Sequence, residues 1–152
     1  MTPDSLQTQD LEYLLALASH RMKSVLANGL DNRGVTLENW RILTLLSNGK
    51  GWTMGELAEA ALLTLPTATR NIDTMVGEAL VYRTPHPDDG RKVVIFLSDK
   101  GRKLWFDLRD STSRCELEVI EQYGSVWLED LVARLGDLIP RKPKAQQKTR
   151  RG

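Results

Sequence analysis

Apolar residues recur along most of this chain at helical spacing, and in one place the period shortens to that of strands. From Gln9 to Ala27, Leu11, Leu15, Ala18, Met22 and Val25 step by fours and threes into one stripe, as in an amphipathic helix. A second uncharged stripe carries Tyr13, Leu17, His20 and Ser24, so this helix is expected to lie sandwiched between two surfaces. Gly29, Asn32 and Gly34 mark Asn28–Val35 as a break, and residues 1–7 read as a loose lead. Thr36 suits an N-cap, and Leu37, Trp40, Leu43 and Leu46 then form a compact helix ending near Asn48-Gly49. Lys50-Gly51-Trp52 reads as a connector. Thr53 with Glu56 three residues on has the form of a capping box for a short helix, 54–60. A tight turn at Leu62–Thr64 leads to a helix over 65–78, with Pro66 early, where proline is tolerated.

The period then changes. Leu80–Thr84 and Lys92–Leu97 read as strands, joined by the turn Pro85–Arg91, rich in proline, glycine and aspartate. Ser98 suits the N-cap of a long helix from Asp99 to about Tyr123. Gly124-Ser125 breaks it, and a last helix runs to about Ile139.

Two helices joined by a tight turn and followed at once by a hairpin make a winged helix-turn-helix, 36–98. On the helix over 65–78, Leu65, Ala68, Ile72, Met75 and Val76 converge on one side. The opposite side collects Thr67, Arg70, Asn71 and Thr74, small and cationic, and is read as free of acid before Glu78. Such a face can enter a major groove: Arg70 donates two bonds to a guanine edge and Asn71 pairs with an adenine edge. Thr53, Pro66, Thr67 and Thr69, near helix starts, suit phosphate oxygens. Arg91 at the hairpin tip, with Lys92 and Arg83 nearby, suits a minor groove, and Asp89 is positioned to orient the Arg91 guanidinium. A plain solvated helix face and an exposed turn would also account for these residues.

The run Asp89-Gly90-Arg91-Lys92-Val93-Val94-Ile95-Phe96-Leu97-Ser98-Asp99-Lys100-Gly101 resembles the wing signature of the multiple antibiotic resistance regulator (MarR) family. In that family, Asp-x-Arg at the wing tip leads through an apolar strand to Leu-Thr-x-x-Gly. Leu65-Pro66-Thr67-Ala68-Thr69-Arg70 through Leu80-Val81-Tyr82-Arg83 is similar to its recognition helix and following strand, and Thr36–Leu46 to its second helix. The resemblance covers roughly 9–139. Ser98 replaces the usual Thr. Ala79 stands where the family has glycine, so the recognition helix is expected to end without a left-handed cap.

The resemblance implies a fold that is mainly α with a small β-hairpin wing (α+β), a winged helix-turn-helix flanked by N- and C-terminal dimerisation helices, 9–30 and 99–139. It implies an obligate homodimer on a pseudo-palindromic double-stranded DNA operator. The terminal helices agree: Leu104, Leu108, Leu117, Trp127, Leu128, Leu131 and others supply more apolar surface than a small winged helix covers. It also implies repression of a neighbouring catabolic or efflux operon, released by a small aromatic, phenolic or indole carboxylic acid. For that ligand the candidate residues are Tyr13, Leu17, His20, Arg21, Ser24, Trp40 and Arg41: an indole wall beside a guanidinium. Trp40 shares a stripe with Leu37 and Leu43, so plain core is the other reading of it. The alternative function is a winged helix used for protein contacts or DNA architecture, without an effector.

Composition narrows the classes further. The chain has 152 residues, 21 basic and 20 acidic, a formal charge of only +1. Six of the bases (Arg141, Lys142, Lys144, Lys148, Arg150, Arg151) follow Pro140 in a tail read as disordered, so the body carries 15 bases against 20 acids. Positive surface on the body is therefore a local patch. A single cysteine, Cys115, excludes an intrachain disulfide and a cysteine zinc site; flanked by Glu116 and Glu118, it reads as inert rather than redox-active. No metal or cofactor is expected. No nucleophile–His pairing or P-loop points to an enzyme. No apolar stretch approaches the roughly 20 residues of a membrane span, and the polar N-terminus lacks a signal-peptide pattern, so a cytosolic protein is expected.

Overall fold

The computed structural model describes residues 10–31 and 33–139, the side chains of 111, 115 and 116 excepted. The N-terminal lead and Gln9, the basic tail and the Cys115 thiol lie outside the described residues. Among the described residues six helices and three strands follow in the order α1 (Leu11–Asp31), α2 (Leu37–Leu46), β1 (Trp52–Thr53), α3 (Met54–Ala60), α4 (Leu65–Gly77), β2 (Val81–His86), β3 (Asp89–Leu97), α5 (Asp99–Tyr123) and α6 (Ser125–Leu138). The fold is mainly helical with a small antiparallel sheet. The chain divides after Cys115 into two compact units. Among the described residues no helix is long and apolar enough to cross a membrane.

In the first unit the core forms where α2, α3, α4 and the sheet converge with the end of α1 and the start of α5. Leu30, Ile42, Leu43, Leu46, Leu57, Ile72, Met75, Ile95 and Leu108 are fully buried, and Trp40, Trp52 and Trp105 pack against them. α1 does not stop before Gly29 as the sequence suggests. Leu30, wholly buried, holds the helix through the glycine, and termination falls to Gly34 at φ 66, whose N–H donates to Asp31 O.

The sheet also departs from a simple hairpin. Trp52, read as part of a connector, forms with Thr53 a third strand, giving the order β1-β3-β2. Trp52 pairs with Ile95 and Thr53 with Val94, so the approach to α3 is pinned to the middle of β3. Gly51 leaves room there for the Phe96 ring, which would have to shift for a Cβ 2.5 Å from it.

In the second unit α6 has no buried residue. Tyr123 and Trp127 stack at 4.8 Å across the Gly124 break, where φ is 87, and Val126, Val132, Leu138 and Ile139 are exposed.

Candidate nucleic-acid interface

α4 starts on Thr64, whose hydroxyl accepts from the Thr67 N–H and pairs with the Thr67 hydroxyl at 2.8 Å, with Pro66 in the first turn. Its inner side buries Ala68, Ile72 and Met75. Leu65 and Val76, expected inside, are exposed, because they flank the buried line rather than lying on it. Thr69, Arg70 and Thr74 are exposed, with Thr67 and Asn71 half-buried beside them. The Thr69 hydroxyl donates to Leu65 O at 2.8 Å and that of Thr74 to Arg70 O at 3.1 Å. Their hydrogens are thus used within the helix, and the hydroxyl oxygens remain as acceptors. Thr53 is more fully committed: it forms the expected capping box, its N–H and hydroxyl both donating to Glu56 Oε2.

One expectation about this face is wrong. Asp73 lies on the exposed side of α4, well before Glu78, and pairs with Arg83 of β2 at 2.6 Å. Arg83 is therefore held by the helix instead of standing free beside the wing. The pair ties α4 to β2 and neutralises an acid three residues from Arg70. An acid at 73 and a base ten residues on, across a turn, was the available signal.

The wing differs from the expected turn as well. β2 runs on to His86 and β3 begins at Asp89, leaving Pro87-Asp88 as the turn. Pro85 pairs with Val93 and His86 with Asp89, so Gly90, Arg91 and Lys92 have no partner on β2 and bulge outward. Asp89 Oδ1 accepts from the Arg91 backbone N–H at 3.2 Å. The carboxylate thus fixes the backbone that presents Arg91, not the guanidinium. Arg70, Arg91 and Lys92 have no carboxylate within ion-pair distance among the described residues. Three cations thus stand free on the exposed side of α4 and at the tip of the wing.

The base of the wing is locked by the expected Ser98 cap together with contacts that sequence reading passed over. Ser98 caps α5 by accepting from the Gly101 N–H at 3.0 Å, while its hydroxyl lies 2.7 Å from Ala79 O and 2.9 Å from Leu80 O. Lys100 Nζ donates to Glu78 O at 2.7 Å, meeting one of the orphan carbonyls at the end of α4. Contrary to expectation, α4 does end in a left-handed cap. Ala79 sits at φ 58, with Ala79 N–H to Val76 O and Leu80 N–H to Met75 O, both 2.9 Å. That is the paired bonding of a Schellman end, formed without glycine.

The ligand candidates divide between two helices. Tyr13, Leu17, His20, Arg21 and Ser24 are exposed on α1, and the Ser24 hydroxyl donates to His20 O at 3.1 Å. Trp40 and Arg41 are half-buried on α2, with Trp40 against the core.

A helix-turn-helix whose second helix leads into a cationic wing is the architecture of the winged helix-turn-helix proteins. Comparison with known proteins agrees. A model of the MarR family matches residues 35–93. An HTH-type transcriptional regulator of Mycobacterium tuberculosis is 34% identical over 90 residues, 59% of this chain and 63% of that protein, so the match spans under two thirds of the relative's length. The HTH-type transcriptional repressor YetL of Bacillus subtilis is 31% identical over 136 residues, 86% of this chain and 81% of its own. The transcriptional repressor CouR, solved bound to a 23-mer DNA duplex, superposes with a TM-score of 0.76 at 24% identity, covering 88% of this chain and 98% of CouR. The chain belongs to the MarR family, whose members are DNA-binding transcriptional regulators and not enzymes.

Proposed function

We propose that this chain acts as a homodimeric repressor that grips a pseudo-palindromic operator with two copies of α4 and two wings. The carrying observation is the set of unpaired cations, Arg70 on the exposed side of α4 and Arg91 with Lys92 on the wing bulge. In this reading Arg70 and Asn71 meet base edges, Arg91 enters the minor groove, and Thr67, Thr69, Thr74 and Lys92 serve phosphates, with Pro66 and Thr53 shaping the approach. Arg83 and Asp89 act as positioning residues. Residues 9–30 and 99–139 form the dimer base, and repression is favoured by the likeness to YetL, itself a repressor. Release by a small aromatic carboxylic acid is assigned to Trp40 and Arg41 with the exposed side chains of α1 (Tyr13, Leu17, His20, Arg21, Ser24), and a neighbouring catabolic or efflux operon to its control.

Selection from a random duplex library tests this reading. Wild type should return an inverted repeat with half-sites about one helical turn apart. Arg70→Ala should relax one base position per half-site, costing roughly 1–3 kcal/mol there, while Arg91→Ala weakens operator binding and leaves the dimer intact. Recovery of no motif, or unchanged preferences in Arg70→Ala, would contradict it.

A further inference from the structure

The outer side of α4 displays hydrocarbon as well as charge. Leu65, on its first turn, is 54% exposed, and Val76, on the same flank near the other end, is 37% exposed. Pro66 is exposed beside Leu65. Leu62, in the turn before the helix, is 77% exposed at φ 60, a left-handed leucine with little burial to offset the strain. Apolar surface is thus gathered at the N-terminal end of α4, the end by which a helix of this motif meets base edges.

The hydroxyls at this end are engaged within the chain. Those of Thr64 and Thr67 bond each other at 2.8 Å, and that of Thr69 donates to Leu65 O at 2.8 Å. Arg70 is the first charged side chain of the helix. It lies about 140° around the axis from Leu65 and about 7.5 Å further along it, so the two reach different base pairs. In the major groove thymine alone carries a methyl group on its edge, and that group is recognised by apolar contact. A side chain suited to the contact is apolar, exposed before binding and placed on the first turn of the inserted helix. Leu65 meets all three conditions. Val76 lies about 16 Å further along α4 and meets only the first two.

We propose that Leu65 is a specificity-determining residue that packs on the C5-methyl of one thymine in each half-site. This rests on the proposed function, in which α4 enters the major groove, and adds to it a base read without a hydrogen bond. Burial of one methyl is worth roughly fourfold in affinity, and the two half-sites of a dimer together about tenfold.

The test exchanges thymine for uracil, which removes the C5-methyl and keeps every hydrogen-bonding group. Each thymine of the duplex selected by wild type is replaced in both half-sites at once, and affinity is read by fluorescence anisotropy. Wild type should lose about tenfold at one position. Leu65→Ala, on an exposed side chain, should keep the fold and bind the thymine duplex about as weakly as wild type binds the uracil duplex. It should show no preference between the two. Val76→Ala should discriminate as wild type. So should Thr69→Ser, which removes the other methyl group on this flank, whatever it does to overall affinity. Equal affinity of wild type for every uracil duplex, a half-site without thymine, discrimination kept in Leu65→Ala, or discrimination lost in Thr69→Ser would overturn the assignment. In each of those outcomes wild type still selects a motif, so α4 stands as the reading helix; recovery of no motif overturns both.

Discussion

Ala79 holds a left-handed backbone angle that alanine adopts at a cost of roughly 1–2 kcal/mol. The Schellman bonds at the end of α4 require it, and Leu62, at φ 60 after α3, is in the same position. Glycine removes the strain but adds freedom to the unfolded chain, worth about 0.4–1 kcal/mol in the other direction. Ala79→Gly should therefore stabilise the protein by about 0.5–1 kcal/mol in urea unfolding; destabilisation would mean that the left-handed cap is not formed. Gly101 presents the opposite case. A Cβ there would collide with Leu80 O, a backbone atom that cannot swing away, and stand 2.7 Å from Leu97 Cδ1. Gly101→Ala should cost about 3 kcal/mol, the upper end of ordinary overpacking. A loss under about 0.5 kcal/mol would show that the start of α5 does not pack so closely on Leu80 and Leu97.

Among the elements, the wing and the reading helix are joined by one inter-element ion pair, Asp73–Arg83, with side chains 58% and 35% exposed. Pairs at such exposure contribute about 0.2–1 kcal/mol to stability. The larger effect is expected on DNA binding. Arg83→Ala leaves the Asp73 carboxylate unpaired on the proposed reading face, whereas the double variant with Asp73→Ala removes both charges. Affinity should fall at least tenfold in Arg83→Ala and recover partly in the double variant; equal losses in both would show that Arg83 contacts DNA itself. This pair also shows where sequence reading reached its limit. The caps at Thr36, Thr53 and Ser98, the order of the helices and the wing motif were legible because each depends on neighbours a few residues apart. Asp73–Arg83, Lys100 to Glu78 O and the pairing of Trp52 with Ile95 depend on chain separations that only the folded packing brings together. Within the candidate interface, Arg70, Asn71 and Arg91 were found from helical phase and turn composition. The bulge that presents Arg91 was not, because strand register is set by pairing across the hairpin.

At the scale of the molecule, apolar surface is unevenly distributed. Leu11, Leu15 and Leu17 on α1 are 54%, 39% and 43% exposed, and Val126 and Leu138 on α6 are 77% and 61% exposed. Covering such surface yields about 25 cal/mol per Å², which is the physical basis for assigning these helices to a dimer. Sedimentation should accordingly find a dimer at micromolar concentration, and Leu15→Glu should shift the population toward monomer. Charge points the same way. The part of the chain up to Pro140 is acidic overall, so it attracts a polyanion through local cations, and binding should depend steeply on salt. The most direct measurement is fluorescence anisotropy with the selected duplex across a salt series. A dimer meeting about six phosphates predicts a log–log slope of about −5 or steeper, falling by roughly one for each phosphate-contacting cation removed per dimer. A slope near zero, or no binding at low salt, would contradict the account.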